Sequence, residues 1–239
     1  MKPYYDEKGI TLYNADCLPA MKEMPDNAFD LAIVDPQYGI GCHKMFIAKD
    51  RVDPRNGRLI KCKRNKRGNW DSARPENAYF IELQRVSKNQ IIWGGNYFAD
   101  LLPAKSCWII WDKVNGKSDQ ADCELAYTSF NSAVRLVHYM WHIAQAISIE
   151  KGMMAQGNNK LWERRIHPTQ KPVALYKWLL TNYAKPGQTI LDTHLGSGSI
   201  AIACDVFGFD LTAFEIDLEY IEGATDRLKR HRAQGILPL

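Results

Sequence analysis

The sequence predicts an α/β domain, an open sheet flanked by helices, wound in a circularly permuted order. Three observations predict it. Short apolar runs rich in β-branched and aromatic residues recur at 29–34, 90–93, 107–111, 189–192 and 211–214, each bounded by turn formers or charges. Segments with helical spacing of apolar residues lie among them, at 78–86, 173–183, 199–207 and 220–234. Such alternation points to parallel strands joined through helices. The third observation is a glycine turn that comes near the end of the chain rather than at its start.

The composition agrees with one domain carrying an insertion. At 239 residues, 46% hydrophobic and 24% charged, the chain can bury a sizeable core and has no bias towards disorder. No run approaches the roughly 20 apolar residues that span a bilayer, and the first residues lack an apolar signal segment. A soluble, cytoplasmic protein is the expectation. The six cysteines show no C-x-x-C spacing, so free thiols and no metal are expected, Cys42-His43 being too small a set of ligands by itself.

Net charge is +4, but it is unevenly placed. Between Lys49 and Arg67 nine basic residues face two acids, and the rest of the chain is net negative. Lys61, Lys63, Arg64, Lys66 and Arg67 are the densest part, a composition suited to phosphate backbones or to a solvated surface loop. Residues 42–74, with Pro54, Gly57 and Gly68 and little periodicity, are expected to form a mobile loop. Residues 113–166 also break the alternation, mixing polar turns with short β-like runs such as 133–141.

The glycine turn follows the run 189–192. Gly196, Gly198 and Ala201 satisfy G-x-G-x-x-A, where the backbone turns sharply and a ligand approaches without meeting a Cβ. Glu215, nineteen residues after Gly196 and at the end of the next strand, is placed to accept bonds from ribose hydroxyls. An ordinary α/β turn remains the alternative. Only 41 residues follow Gly198, too few to complete a doubly wound sheet. The missing strands must come from the N-terminal half, an order that argues against a nicotinamide-linked enzyme.

The run 29–34 ends at Asp35-Pro36-Gln37-Tyr38. Ligands bind beyond the carboxyl ends of strands in open α/β sheets. There a carboxylate and a backbone carbonyl can accept both N–H bonds of an aromatic amine, freeing a lone pair that the ring otherwise delocalises. Pro36 would fix the carbonyl, and Tyr38 would stack on a base drawn out of a duplex. A strand-ending turn is the alternative.

Asp35-Pro36-Gln37-Tyr38 resembles the D-P-P-Y motif of amino-methyltransferases, and the whole chain resembles the permuted β-group of DNA adenine-N6 methyltransferases. Four further segments carry the likeness in that group's order. Tyr13-Asn14-Ala15-Asp16-Cys17-Leu18 resembles the N-terminal motif that reaches the adenosyl moiety. His167-Pro168-Thr169-Gln170-Lys171-Pro172 resembles the motif that helps hold the methionine end. Asp192 to Gly198 resembles the cofactor loop, and Phe214-Glu215-Ile216-Asp217 the ribose-binding acid.

The resemblance implies a Rossmann-like methyltransferase fold, S-adenosylmethionine as cofactor, and double-stranded DNA as partner. It assigns catalysis to Asp35, Pro36 and Tyr38. It assigns cofactor contacts to Asp16, Cys17, Asp35, His167, Thr169, Lys171, Asp192, His194, Gly196, Gly198 and Glu215. It puts target recognition in about 113–166, and members of the group often dimerise. Two residues depart from the pattern: Gln37 replaces the second proline, and His194 stands where phenylalanine or proline is common. Cytosine-N4 methylation and a non-catalytic DNA-binding role stay open as alternatives, although an acid at the head of the motif favours adenine.

Overall fold

The computed structural model describes residues 1–41, 51–52, 57–60, 71–114, 121–139, 147–148, 153–154 and 169–234. In chain order the elements are β1 (Tyr5–Glu7), β2 (Ile10–Asn14), α1 (Cys17–Glu23), β3 (Phe29–Val34), β4 (Arg51–Val52), β5 (Leu59–Ile60), α2 (Asn77–Val86), β6 (Ser87–Trp93), β7 (Trp108–Asp112), β8 (Cys123–Thr128), β9 (Arg135–His138), β10 (Ile147–Ser148), β11 (Met153–Met154), α3 (Val173–Tyr183), β12 (Thr189–Asp192), α4 (Ser199–Phe207), β13 (Asp210–Glu215) and α5 (Leu218–Ala233). Nine strands form one sheet in the order β1-β2-β13-β12-β3-β6-β8-β7-β9, and β4–β5 and β10–β11 are two-residue hairpins.

The five strands β2, β13, β12, β3 and β6 run parallel. The last two strands of the chain therefore sit in the middle of the sheet, between β2 and β3 from the N-terminal part. Moving β12 and β13 ahead of β2 would give a conventional doubly wound order. The late glycine turn is thus a central turn.

Both faces of the sheet are covered, which is why its strands read as continuous apolar runs rather than alternating ones. Leu31 and Ile33 of β3 point into one core with Leu175, Leu179, Ile200, Ala203, Ile221 and Leu228 from α3, α4 and α5. Ala32 and Val34 point into the other, with Cys17 and Met21 of α1 and Tyr79, Phe80 and Leu83 of α2. Asp16 caps α1 by accepting from Leu18 N at 2.9 Å, and Asp217 caps α5 by accepting from Glu219 N at 2.8 Å.

The structure corrects four expectations. The sheet is mixed: β8 is antiparallel to β6 and β7, and β1 to β2. The strands β1, β2 and β8 and the helix α1 were not expected, since each is short and its apolar residues are interrupted by polar ones. The loop expected over 42–74 does not extend to 74. Asp71 is buried and Arg74 is paired with Asp100 at 2.6 Å. The boundary expected at 113 falls within the sheet, because 121–139 contribute β8, wedged between β6 and β7, and the edge strand β9. No helix among the described residues is long and apolar enough to cross a membrane.

Candidate active site

Four acids stand at the carboxyl ends of four adjacent parallel strands. Asp16 follows β2, Glu215 ends β13, Asp192 ends β12, and Asp35 follows β3. They lie along the edge where ligands bind in such sheets.

The glycine turn occupies the middle of this edge. Gly196 has φ +52, and a Cβ there would meet nothing closer than His194 O at 3.9 Å, so the space above it is open. Gly198 (φ +72) serves packing instead: a Cβ would come within 2.8 Å of Ala224 on α5. Glu215 braces the turn. Its Oε2 accepts from Gly196 N at 2.8 Å and its Oε1 from Asp217 N at 2.9 Å. Burial raises its carboxyl above the ordinary range against those bonds. Each oxygen keeps a lone pair for a ribose hydroxyl.

Asp192 accepts from His194 N at 3.0 Å, and burial pushes its carboxyl up to about 8. Thr193 links the turn to α2, its hydroxyl 2.6 Å from Tyr79 Oη and 2.9 Å from His194 Nδ1. Burial lowers His194 to about 4, so the ring is neutral near pH 7. The thiol of Cys17, the first residue of α1, is buried in the core and pushed up to about 12, mainly by that burial. Arg227 of α5 closes the back of the turn, donating to Ser197 O and Ser199 Oγ at 2.9 Å each.

The segment Asp35-Pro36-Gln37-Tyr38 lies one strand away. Tyr38 Oη donates to Asp35 Oδ1 at 2.7 Å, and Lys171 Nζ forms an ion pair with Asp35 Oδ2. Lys171 was expected at the cofactor. Its main chain is tied to the start of α4, Lys171 O accepting from Ser199 Oγ at 2.7 Å, while its ammonium lies on Asp35. The ammonium also lies 3.1 Å from Glu124 Oε2 and 5.2 Å from the centre of the Trp93 ring. Lys113 pairs with Glu124 Oε1 at 2.7 Å.

Burial raises Asp35, and Lys171 offsets this only in part. Burial also acts upward on Glu124, but Lys171 and Lys113 outweigh it and pull its carboxyl below the ordinary range. Burial would lower Lys171, yet the two acids outweigh it and hold the ammonium charged. Two neighbouring carboxylates are thereby driven apart in acidity, the pattern typical of sites where one acid is to exchange a proton.

Tyr38 is held from three directions. Its ring stacks on Tyr97 with centroids 4.8 Å apart and planes at 17°, and Phe98 meets it edge-on at 6.2 Å. Its edge lies against Gly94, where a Cβ would fall 2.6 Å from Tyr38 Cζ. After Tyr38 the chain is fixed by Asp71, which accepts from Gly39 N at 2.7 Å and Gly41 N at 3.0 Å through side chain and main chain.

Of the site residues expected from sequence, Asp16, Asp35, Pro36, Tyr38, Lys171, Asp192, His194, Gly196, Gly198 and Glu215 lie on this edge, and Thr169 is half-buried at its margin. His167 and the basic cluster Lys61, Lys63, Arg64, Lys66 and Arg67 lie outside the described residues, as do Asn115, Lys117, Gln156, Asn158 and Asn159 of the expected recognition region. Sequence reasoning missed Asp71, Trp93, Tyr97, Lys113 and Glu124. Glu124 had a usable signal, being the one charge in the otherwise apolar or small run of β8.

Residues 44–226 match the family N6_N4_Mtase, described as DNA methylase. The chain belongs to this DNA methylase family. The methylase is 26% identical over 239 residues to the Type II methyltransferase M.HpaI of Haemophilus parainfluenzae, covering 90% of this chain and 72% of that protein. It is 22% identical to the Type II methyltransferase M2.MboI of Moraxella bovis, covering 100% of this chain and 93% of the relative. Among solved structures, the M1.HpyAVI–SAM complex superposes with a TM-score of 0.56 at 19% identity, covering 92% of the methylase and 100% of that chain. The cytosine-N4-specific PvuII DNA methyltransferase gives 0.56 at 11% identity, covering 98% and 94%. At these identities the structures establish the Rossmann-like fold.

Proposed function

We propose that this DNA methylase methylates the N6 amine of an adenine flipped out of the duplex, as a member of the permuted β-group. Asp35 is the acceptor that activates the amine. The carrying observation is its position: a half-buried carboxyl just past the end of β3, immediately beside the strand whose glycine turn is open to a ligand.

S-Adenosylmethionine supplies the methyl group from its sulfonium. The edge suits that cofactor, because a cationic, ribose-bearing molecule meets acids on four successive strand ends and an uncovered glycine backbone. Glu215 takes the ribose hydroxyls, and Asp16 and His194 flank the adenosyl end. Thr169, the main chain of Lys171 and Asp192 hold the methionine end. His167 at the methionine end and Cys17 at the adenosyl end are assigned by resemblance alone.

Asp35 accepts one N–H of the amine, and the main-chain carbonyl of Pro36 the other. Both bonds draw the nitrogen towards tetrahedral geometry, so its lone pair becomes available for transfer. Tyr38 orients Asp35 through its hydroxyl and offers a ring for stacking. Activity then depends on holding and orienting, and no covalent enzyme intermediate is needed. The basic stretch 49–67 supports DNA as substrate, and the part of 113–166 beyond β9 is assigned to target recognition.

The test is incubation with unmethylated genomic DNA and labelled S-adenosylmethionine, followed by nucleoside analysis and modified-base sequencing. N6-methyladenine is expected, with Asp35→Ala abolishing transfer while cofactor binding survives. N4-methylcytosine as the product would overturn the adenine assignment, and full activity of Asp35→Ala would overturn the catalytic one.

A further inference from the structure

Lys171, Asp35, Glu124 and Lys113 form a network of two cations and two anions at the catalytic edge. Lys171 carries the most burial, with its side chain only 3% exposed. Both oxygens of Asp35 are engaged in this state, Oδ1 by Tyr38 and Oδ2 by Lys171. Each oxygen keeps a second lone pair, but the ammonium on Oδ2 draws charge away from the carboxylate, so Asp35 accepts more strongly from a base amine once the ammonium withdraws. A buried ammonium withdrawn from its partner is costly unless another anion receives it.

Glu124 is placed to be that anion. Its Oε2 lies 3.1 Å from Lys171 Nζ and has no well-formed hydrogen bond among the described residues. Its other oxygen is anchored by Lys113 at 2.7 Å. Its strand, β8, is paired on both sides, to β6 and to β7, so the carboxylate is carried on a rigid element. The Trp93 ring under Lys171 keeps the ammonium in place between the two acids.

We propose that Glu124 is a positioning residue for methyl transfer: it receives Lys171 when the base amine arrives, freeing an oxygen of Asp35, and neutralises the ammonium beside the reacting nitrogen. The inference rests on Asp35 being the amine acceptor. During transfer the nitrogen lone pair forms the new N–C bond while the C–S electron pair returns to sulfur. The nitrogen becomes cationic and then releases one proton to Asp35 and on to solvent. An uncompensated Lys171 would oppose that build-up of charge.

The experiment is steady-state methylation of unmethylated DNA by the full chain and by Glu124→Gln, Glu124→Asp, Lys171→Met and the Glu124→Gln/Lys171→Met pair. Cofactor Kd and melting temperature are measured on each, and Asp35→Ala serves as a reference. Glu124→Gln is expected to lower kcat by about ten- to a hundredfold, the range a small misplacement of a reacting group costs, with cofactor Kd unchanged. Glu124→Asp keeps the charge with a shorter reach and should fall between the two. The pair should lose no more than Lys171→Met alone, because Glu124 acts through Lys171.

Wild-type kcat in Glu124→Gln, or losses that multiply in the pair, would overturn the proposal. If Glu124→Gln does not fold, Glu124→Asp decides, and wild-type kcat there overturns it equally. Activity in Asp35→Ala would instead show that the underlying catalytic assignment had failed.

Discussion

Replacing Gly94 by alanine probes how firmly Tyr38 is held. Gly94 has φ +70, where a Cβ costs about 1–2 kcal/mol in backbone strain. The added carbon would also fall 2.6 Å from both Tyr38 Cδ1 and Cζ. The ring cannot retreat freely, because Tyr97 covers one face at 4.8 Å and Phe98 meets it at 6.2 Å. Overpacking of this kind costs about 1–3 kcal/mol, so Gly94→Ala should destabilise by about 2–5 kcal/mol in urea unfolding.

Tyr38→Ala alone should cost somewhat less than the about 3–5 kcal/mol of a fully buried aromatic, because Tyr38 is only partly buried. In the double variant the clash is gone and only the strain remains. The two effects should therefore be less than additive by about 1–3 kcal/mol. Methylation should fall in Gly94→Ala as well, since displacing Tyr38 breaks its 2.7 Å bond to Asp35. Additive stabilities, or wild-type activity in Gly94→Ala, would show that Tyr38 does not occupy this position.

Two further outcomes follow from the glycine turn. Burial lowers His194 from 6.5 to about 4, so the unfolded chain takes up a proton before the folded one does as pH falls. The stability this residue allows is complete above about pH 6.5 and is lost towards pH 4; His194→Phe should shrink the fall in unfolding free energy between pH 7.5 and 4.5 by about 2–3 kcal/mol. An identical pH dependence in the variant would refute the placement of His194. Arg227→Ala releases Ser197 and Ser199 behind the turn, and calorimetry should show cofactor Kd rising by about three- to tenfold, the effect of losing part of a charged hydrogen bond. An unaltered Kd would mean that the turn keeps its shape without that brace.

Much of the site was legible because its chemistry is local in the chain. Asp35 and Tyr38 are three residues apart, and the loop holding Gly196 and Gly198 directly follows its own strand. In covered strands such as β3 the apolar residues run on without alternation, as from Leu31 to Val34, so the run stands out. What stayed hidden depends on distant pairings. β8 is a short strand with polar positions, and only its place between β6 and β7 brings Glu124 to Lys171. Asp71 lies in a segment of unremarkable composition until its carboxylate meets Gly39 N.

The sequence by itself determined the α/β class, the order of the motifs and the identity of the acid at the end of β3, because each depends on residues adjacent in the chain. The tertiary structure decided which charges share that acid. Lys171 is 136 residues from Asp35 and 47 from Glu124, and nothing in those separations says that the three meet. They meet because β3 and β8 flank β6 in one sheet, while the segment leading into α3 crosses its carboxyl edge. A buried ammonium needs anions within reach, and only the fold could supply both.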